Sequence, residues 1–398
     1  MEFNKLIELN RLSKESTQQY AKHRKLYDEL ISDNGKHFVG IIGPRGVGKT
    51  ITLKQLALDL PNSFYISMET FDGNMFDVLK ELKEKLKIEN FFLDEVHSYD
   101  KFDKEIQSVY ELLNIKVFFT SSTALSMSKY KNDLSRRVIL KYLYPFSLKE
   151  YIEFNNSNSQ VPVLSFDDFI NNELPADFLQ FSQYFYPYIK GGLMPFALDE
   201  PDIMPLLSNI LNTVIYKDIP KINGNISMEE LSIINKLVKF AAMSNVDGLN
   251  YSSIAKNLGI TKYKSEQYIS LLEQAFILQA VFPQGTNLLK EPKILLSLPY
   301  RLLYKDFDYA IGGLREDFFV QTCKILRKKI SYLKSMMGAK TPDYILTDEN
   351  IVLEIGAKGK GRQQFKGIKT DKKIILADSY EYNTIDKKPL FAFGLIEN

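Results

Sequence analysis

One octapeptide limits what this chain can fold into more than any other feature. Gly43-Pro44-Arg45-Gly46-Val47-Gly48-Lys49-Thr50 follows the apolar run Phe38-Val39-Gly40-Ile41-Ile42 and precedes the helix-patterned ITLKQLALDL. The run is too short for a helix and rich in β-branched residues, so it reads as a strand buried in a parallel sheet. In that strand-loop-helix context, G-x-x-x-x-G-K-[ST] is a polyphosphate cradle. Its glycines let backbone N–H groups converge on the anion, and the helix starting near Lys49 points its N-terminal dipole at the same place. Gly43 through Thr50 are therefore candidate ligands of ATP. Lys49 would reach the β- and γ-phosphates and Thr50 would offer its hydroxyl to Mg²⁺.

Further runs of the same kind lie at Phe64-Tyr65-Ile66, Phe91-Phe92-Leu93 and Val117-Phe118-Phe119, with helix-patterned stretches such as 74 to 87 between them. Strand alternating with helix predicts an α/β domain. Residues 3 to 32 carry apolar positions at helical spacing and predict one or two amphipathic helices ahead of it. The run at 91 to 93 ends in Asp94-Glu95. Downstream of a phosphate loop, Asp94 is the expected Mg²⁺ holder, and Glu95 the base that orients and deprotonates the attacking water. The last run enters Thr120-Ser121-Ser122-Thr123, where a hydroxyl of Ser122 or Thr120 would face the ligand crevice and sense the γ-phosphate, or cap a helix instead. Arg136 and Arg137 follow; either is a candidate transition-state finger, in cis or offered to a neighbouring subunit, or a plain surface arginine.

Length and charge bound the remainder. At 398 residues the chain should hold more than one domain, and Lys+Arg 51 against Asp+Glu 49 announces neither a nucleic-acid binder nor an acidic tail. That balance hides opposite halves. Residues 151–230 hold three lysines and eleven acids, a net of −8, whereas residues 320–375 hold thirteen Lys/Arg and five acids, a net of +8. The lone Cys323 excludes an internal disulfide and a thiolate cage, and His23, His37 and His97 lack metal-ligand spacing. Neither a leader peptide nor an apolar stretch of about 18 residues is visible, so a cytoplasmic chain without a membrane partner is expected. Residues 252 to 273 read as helix, turn at Gly259, helix, a helix-turn-helix with a wing; Lys262, Lys264, Ser265 and Gln267 on its second helix suit phosphate or base contacts.

GPRGVGKT, FFLDE, FTSST, DLSRR…LYPFSLKEY, YIKGGLMP, TVIYKDI and the helix-turn-helix together resemble the archaeal and bacterial AAA+ ATPases fused to a winged helix and a restriction-endonuclease-like tail. The resemblance implies a P-loop AAA+ αβα core over 1–150 with N-terminal helices in 1–35, a helical lid over 151–226 containing the Gly191-Gly192 turn, a winged helix over 227–305 and a nuclease-like α/β domain over 306–398. Arg137 matches the family's finger better than Arg136. Nucleases of that fold place a Glu on a helix, then an Asp and Glu-x-Lys on a hairpin. Glu316, Asp343 and Glu354 fit, but Gly356 stands where the lysine belongs, and Lys358 is the candidate on the same strand face, about 13 Å along. The expected activity is ATP hydrolysis coupled to movement of C-terminal domains, with Lys49, Glu95, Ser122 and Arg137 as its catalytic set. Two alternatives stand beside it: an ATP-regulated nucleic-acid-binding protein or nuclease, and a nucleotide-gated protein-interaction switch. DNA and further copies of the chain are the expected partners besides ATP.

Overall fold

The computed structural model describes residues 3–122, 136–156, 160–285, 291–333, 341–381 and 383–397. Thr123, the Asp133-Leu134-Ser135 part of the arginine segment, and Lys334 and Lys340 of the basic stretch lie outside them. Two compact units divide the chain, Met1–Pro145 and Phe146–Asn398.

In the first unit, α1 (Phe3–Thr17) and α2 (Lys25–Ile31) precede β1 (Phe38–Ile42), and α3 (Lys49–Asp59) follows directly from the phosphate loop. Then come β2 (Ser63–Ser67), α4 (Met75–Leu86), β3 (Asn90–Asp94), α5 (Phe102–Leu112), β4 (Lys116–Ser121) and β5 (Val138–Tyr142). The strands form one parallel sheet in the order β2-β3-β4-β1-β5. The apolar runs are strands β1 to β4: every residue of β1 is buried. Because the strands are parallel, their C-terminal ends share one edge, and this order sets β1, which feeds the loop, beside β4 and one strand away from β3. The edge strand β5 escaped the sequence reading because its residues are half-buried or exposed and make no apolar run.

In the second unit, α6 (Leu148–Asn155) is started by a capping box of Ser147 and Glu150. β6 (Leu164–Ser165) and α7 (Phe166–Asn171) lead through short turns to α8 (Met204–Thr213). A second capping box, Ser227 with Glu230, opens α9 (Met228–Met243). α10 (Tyr251–Leu258) ends at Gly259, whose φ of 65° is the left-handed turn glycine favours, and α11 (Lys262–Gln274) begins three residues later. An antiparallel hairpin, β7 (Leu278–Val281) and β8 (Lys293–Leu296), completes this region. One apolar core gathers Leu211, Ile215 and Ile219 with Leu231, Ile234, Ile269 and Ile294, so packing continues across position 226.

After α12 (Phe307–Ile325) come β9 (Ile330–Tyr332), β10 (Tyr344–Leu346), β11 (Ile351–Ala357), β12 (Lys372–Asp378), β13 (Lys387–Pro389) and β14 (Ile396–Glu397). The sheet β13-β12-β11-β10-β9 is mixed: β9, β10 and β11 pair antiparallel, β11, β12 and β13 parallel. β14 returns to pair with β6. Among the described residues no helix is long and apolar enough to cross a membrane.

Candidate functional site

The loop after β1 has the shape its sequence requires. Gly46 and Gly48 adopt φ of 81° and 89°, the region where glycine carries no steric penalty, and among the described residues no atom lies within 4 Å of where a Gly48 side chain would begin. That open space over consecutive turned N–H groups at the start of α3 is where a phosphate fits. A methyl on Gly43 would instead overlap the Leu143 carbonyl, so only glycine lets the loop pass. Lys49 is buried, and its ammonium donates to the carbonyls of Gly43 at 2.9 Å and Pro44 at 2.8 Å. From ahead of α2, Arg24 donates to Val47 O at 2.7 Å and Tyr144 O at 2.9 Å, which ties the loop to the segment after β5.

β3 delivers Asp94 to the same edge. Its carboxylate accepts from the hydroxyls of Thr120, Tyr65 (2.8 Å) and Thr50. Burial pushes this carboxyl up, the hydroxyls pull it back, and the neighbouring Glu95 charge adds to the rise. The meeting of Thr50 and Asp94 is the donor pair a Mg²⁺ beside a triphosphate requires, so these residues fit the ion. Glu95 sits in the left-handed region at φ 54°, its N–H donating to Thr120 Oγ1 at 2.9 Å. Burial alone would raise Glu95, yet the His97 contact, then the charges of Lys49, His97 and Arg45, hold it down at about 2.

The polar residues after β4 divide. Thr120 is fully buried and engaged with Asp94 and Glu95, whereas Ser122 faces His97 Nε2 at 3.4 Å. Arg137 does not come to this edge. Its carbonyl accepts from Phe38 N at the start of β1, and its guanidinium pairs with Glu111. The phosphate loop leaves the other end of β1, five residues or roughly 16 Å away, so a finger in cis is ruled out by strand direction. Arg136 is exposed beside it.

Residues 35–152 match the family model of an AAA domain. This stretch is therefore similar to AAA domains. A second family model, a domain of unknown function (DUF8612), matches residues 182–297 and so spans the expected boundary at 226. An uncharacterized protein of Methanocaldococcus jannaschii is 27% identical over 93% of this chain and 87% of its own length. Similar solved structures include C. elegans PCH-2 (20% identity, 54% of this chain, 63% of that chain, TM-score 0.30), so the match spans under two thirds of that protein. The Aeropyrum pernix ORC1 protein in complex with DNA is 13% identical over 79% of this chain and 92% of that chain, with a TM-score of 0.31. Scores this low fix no correspondence between residues.

Beyond the phosphate-loop site, the second unit holds another charged cluster. Glu316 of α12 accepts from Lys293 Nζ at 2.6 Å and from Tyr344 O–H at 2.7 Å. Asp343 accepts from Ile355 N at 2.8 Å; burial, then the Glu316 and Glu354 charges, push it up to about 7 against the pull of Lys293. Glu354 is 1% exposed and pairs through Oε1 with Lys360. The structure brings Glu316, Asp343 and Glu354 together but not Lys358, which pairs with Glu381 at the surface, 2.5 Å away. The expected strand continuation fails because β11 ends at Ala357 and the chain turns, with Lys360 N donating to Ala357 O at 3.0 Å. The Lys360 stem then fills the space a Gly356 side chain would occupy.

Lys293, from β8, bridges Glu316 and Asp247. Among the described residues no group of three or more His, Cys, Asp or Glu is arranged to hold a metal ion. Two ammonium groups, Lys293 and Lys360, stand among these carboxylates. On α11, Ser265 is fully buried and faces the core, which removes it from any DNA-reading set; Lys262 pairs with Glu291 and Lys264 with Glu230, and Gln267 is exposed. Sequence reasoning missed Arg24, Tyr65, His97 and Lys293, and preferred Lys358 to Lys360. Only His97 left a local signal, two residues past Glu95 within one helical turn.

Proposed function

We propose that the AAA domain binds Mg·ATP and hydrolyses its terminal phosphoanhydride bond. The observation that carries this reading is the meeting of loop and strand ends: an open phosphate nest with Lys49, Thr50 against Asp94, and an ionised Glu95 beside them. Bound there, Mg²⁺ would draw charge from the phosphate oxygens, with Thr50 and Asp94 as its protein-side holders. Lys49 exchanges the loop carbonyls for phosphate oxygens. Glu95 orients a water and takes its proton. The His97 contact, then the charges of Lys49 and Arg45, suppress its basicity; a triphosphate offsets the Lys49 and Arg45 charges and raises it towards the working range of a base. In this reading Arg137 assists only a neighbouring copy.

Lys49→Ala should abolish binding of a fluorescent ATP analogue. Glu95→Gln should bind it within about twofold of wild type and lose turnover by roughly 100-fold or more. Wild-type turnover in Glu95→Gln would overturn the mechanism.

A second reading concerns residues 227–398. We read α9 to β8 as a winged helix and α12 to β14 as a restriction-endonuclease-like domain that binds a phosphate backbone without cutting it. The observation favouring binding without cleavage is the acid cluster, paired with Lys293 and Lys360, in the same stretch of chain as the exposed Lys366 and Lys369. Duplex DNA should bind with an affinity that falls steeply as salt rises, and plasmid with Mg²⁺ or Mn²⁺ should stay intact. Cleavage lost in Asp343→Ala would replace this reading with a nuclease; no binding at low salt would favour a protein-interaction switch.

A further inference from the structure

The ring of His97 lies between the two groups that hydrolysis must coordinate. Its Nδ1 is 3.0 Å from Glu95 Oε2 and its Nε2 is 3.4 Å from Ser122 Oγ. The side chain is 6% exposed, so the ring is held within the edge of the sheet. Local backbone explains the placement. Glu95 is left-handed at φ 54°, an uncommon state for a residue with a side chain, and its N–H is pinned by Thr120. The single helical turn Val96–Ser98 then swings the residue two positions on back over the Glu95 carboxylate.

Proton accounting selects one tautomer. Among the described residues Nδ1 and Oε2 meet no other hydrogen-bonding partner, and with Glu95 ionised their approach is favourable when Nδ1 carries the proton. A neutral ring protonated there leaves Nε2 as an acceptor for the Ser122 hydroxyl. One proton thus satisfies both contacts, giving a chain Ser122 O–H to His97 to Glu95.

We propose that His97 positions Glu95 for hydrolysis by holding Oε2, and links that carboxylate to the hydroxyl at the end of β4. This inference rests on the ATPase reading. With Oε2 tied to the ring, Oε1 is the oxygen left for water, and the side chain cannot rotate away from the nucleotide edge. Ser122 orients the ring from the other side, so a phosphate that engages its hydroxyl also acts on the contact that fixes the base. His97 itself touches no reacting atom.

The test is steady-state ATPase and fluorescent-nucleotide binding on the full chain, with His97→Ala and His97→Gln. His97→Ala should lower kcat roughly 10- to 100-fold, with KM and nucleotide Kd within about twofold of wild type. His97→Gln keeps an N–H at comparable reach and should recover a substantial part of kcat. A His97→Ala protein with wild-type or raised kcat overturns the inference. So does a loss shared equally by His97→Gln, or one tracked by weakened binding, because a structural role would produce either. If wild type binds nucleotide but never turns it over, the hydrolysis reading fails and this inference with it; if only His97→Ala matches an active wild type, the inference alone fails.

Discussion

Lys388 illustrates how burial acts on a single residue. Its side chain is inaccessible to solvent, donates to Asn172 O and lies over the Phe169 ring. Burial, then repulsion from Lys372, lowers it to about 8, against an ordinary value of 10.5. Below about pH 8 the folded chain therefore carries a strained ammonium that the unfolded chain does not. The penalty fades as pH rises from about 8 to 10.5, because only the folded state gives up its proton in that window. In urea unfolding of the second unit, Lys388→Met should be the more stable protein at pH 7, by roughly 2 kcal/mol. The gap should close towards pH 10.5; a gap independent of pH would show that charge is not its cause. Single residues were also where sequence reading slipped. Spacing along a straight strand pointed to Lys358, yet the turn after Ala357 delivers Lys360 to Glu354, and only Gly356 leaves room for its stem.

At the scale of elements, the second unit is joined by a buried ion pair. Arg301 donates from Nε to Asp317 Oδ2 at 2.8 Å and from Nη2 to Oδ1 at 3.1 Å, while Nη1 reaches the carbonyls of Ala241, Ala242 and Ser244 near the end of α9. A side chain on Gly313 would strike the same guanidinium, which is why α12 can carry a glycine here. Asp317→Ala strands that cation in the core and should cost about 3–5 kcal/mol in urea unfolding. Pairing Arg301→Met with Asp317→Leu should restore most of it. Equal losses in the single and double variants would mean the pair stabilises on its own account. Strands β1, β3 and β4 were legible because burial on both faces leaves continuous apolar runs. β5 was not, since its residues are half-buried or exposed and make no apolar run.

For the whole molecule, the parallel order β2-β3-β4-β1-β5 converts three separate sequence signals, the phosphate loop, Asp94-Glu95 and the hydroxyls after β4, into one edge. The same rule displaces Arg137, which enters its strand at the opposite end. Charge behaves likewise: the +8 of residues 320–375 is partly consumed internally, with Lys328 on Glu349, Lys329 on Asp348 and Arg362 on Asp386. The sequence by itself determined the phosphate loop, the acid pair after β3 and the α/β alternation, because each is a local pattern whose chemistry needs only neighbours along the chain. Tertiary structure alone decided which distant groups serve them. Arg24 bracing the loop, His97 between Ser122 and Glu95, and Lys293 and Lys360 among the tail carboxylates are contacts between elements or across turns. Their distances depend on strand order and chain reversal, which no spacing along a single segment encodes.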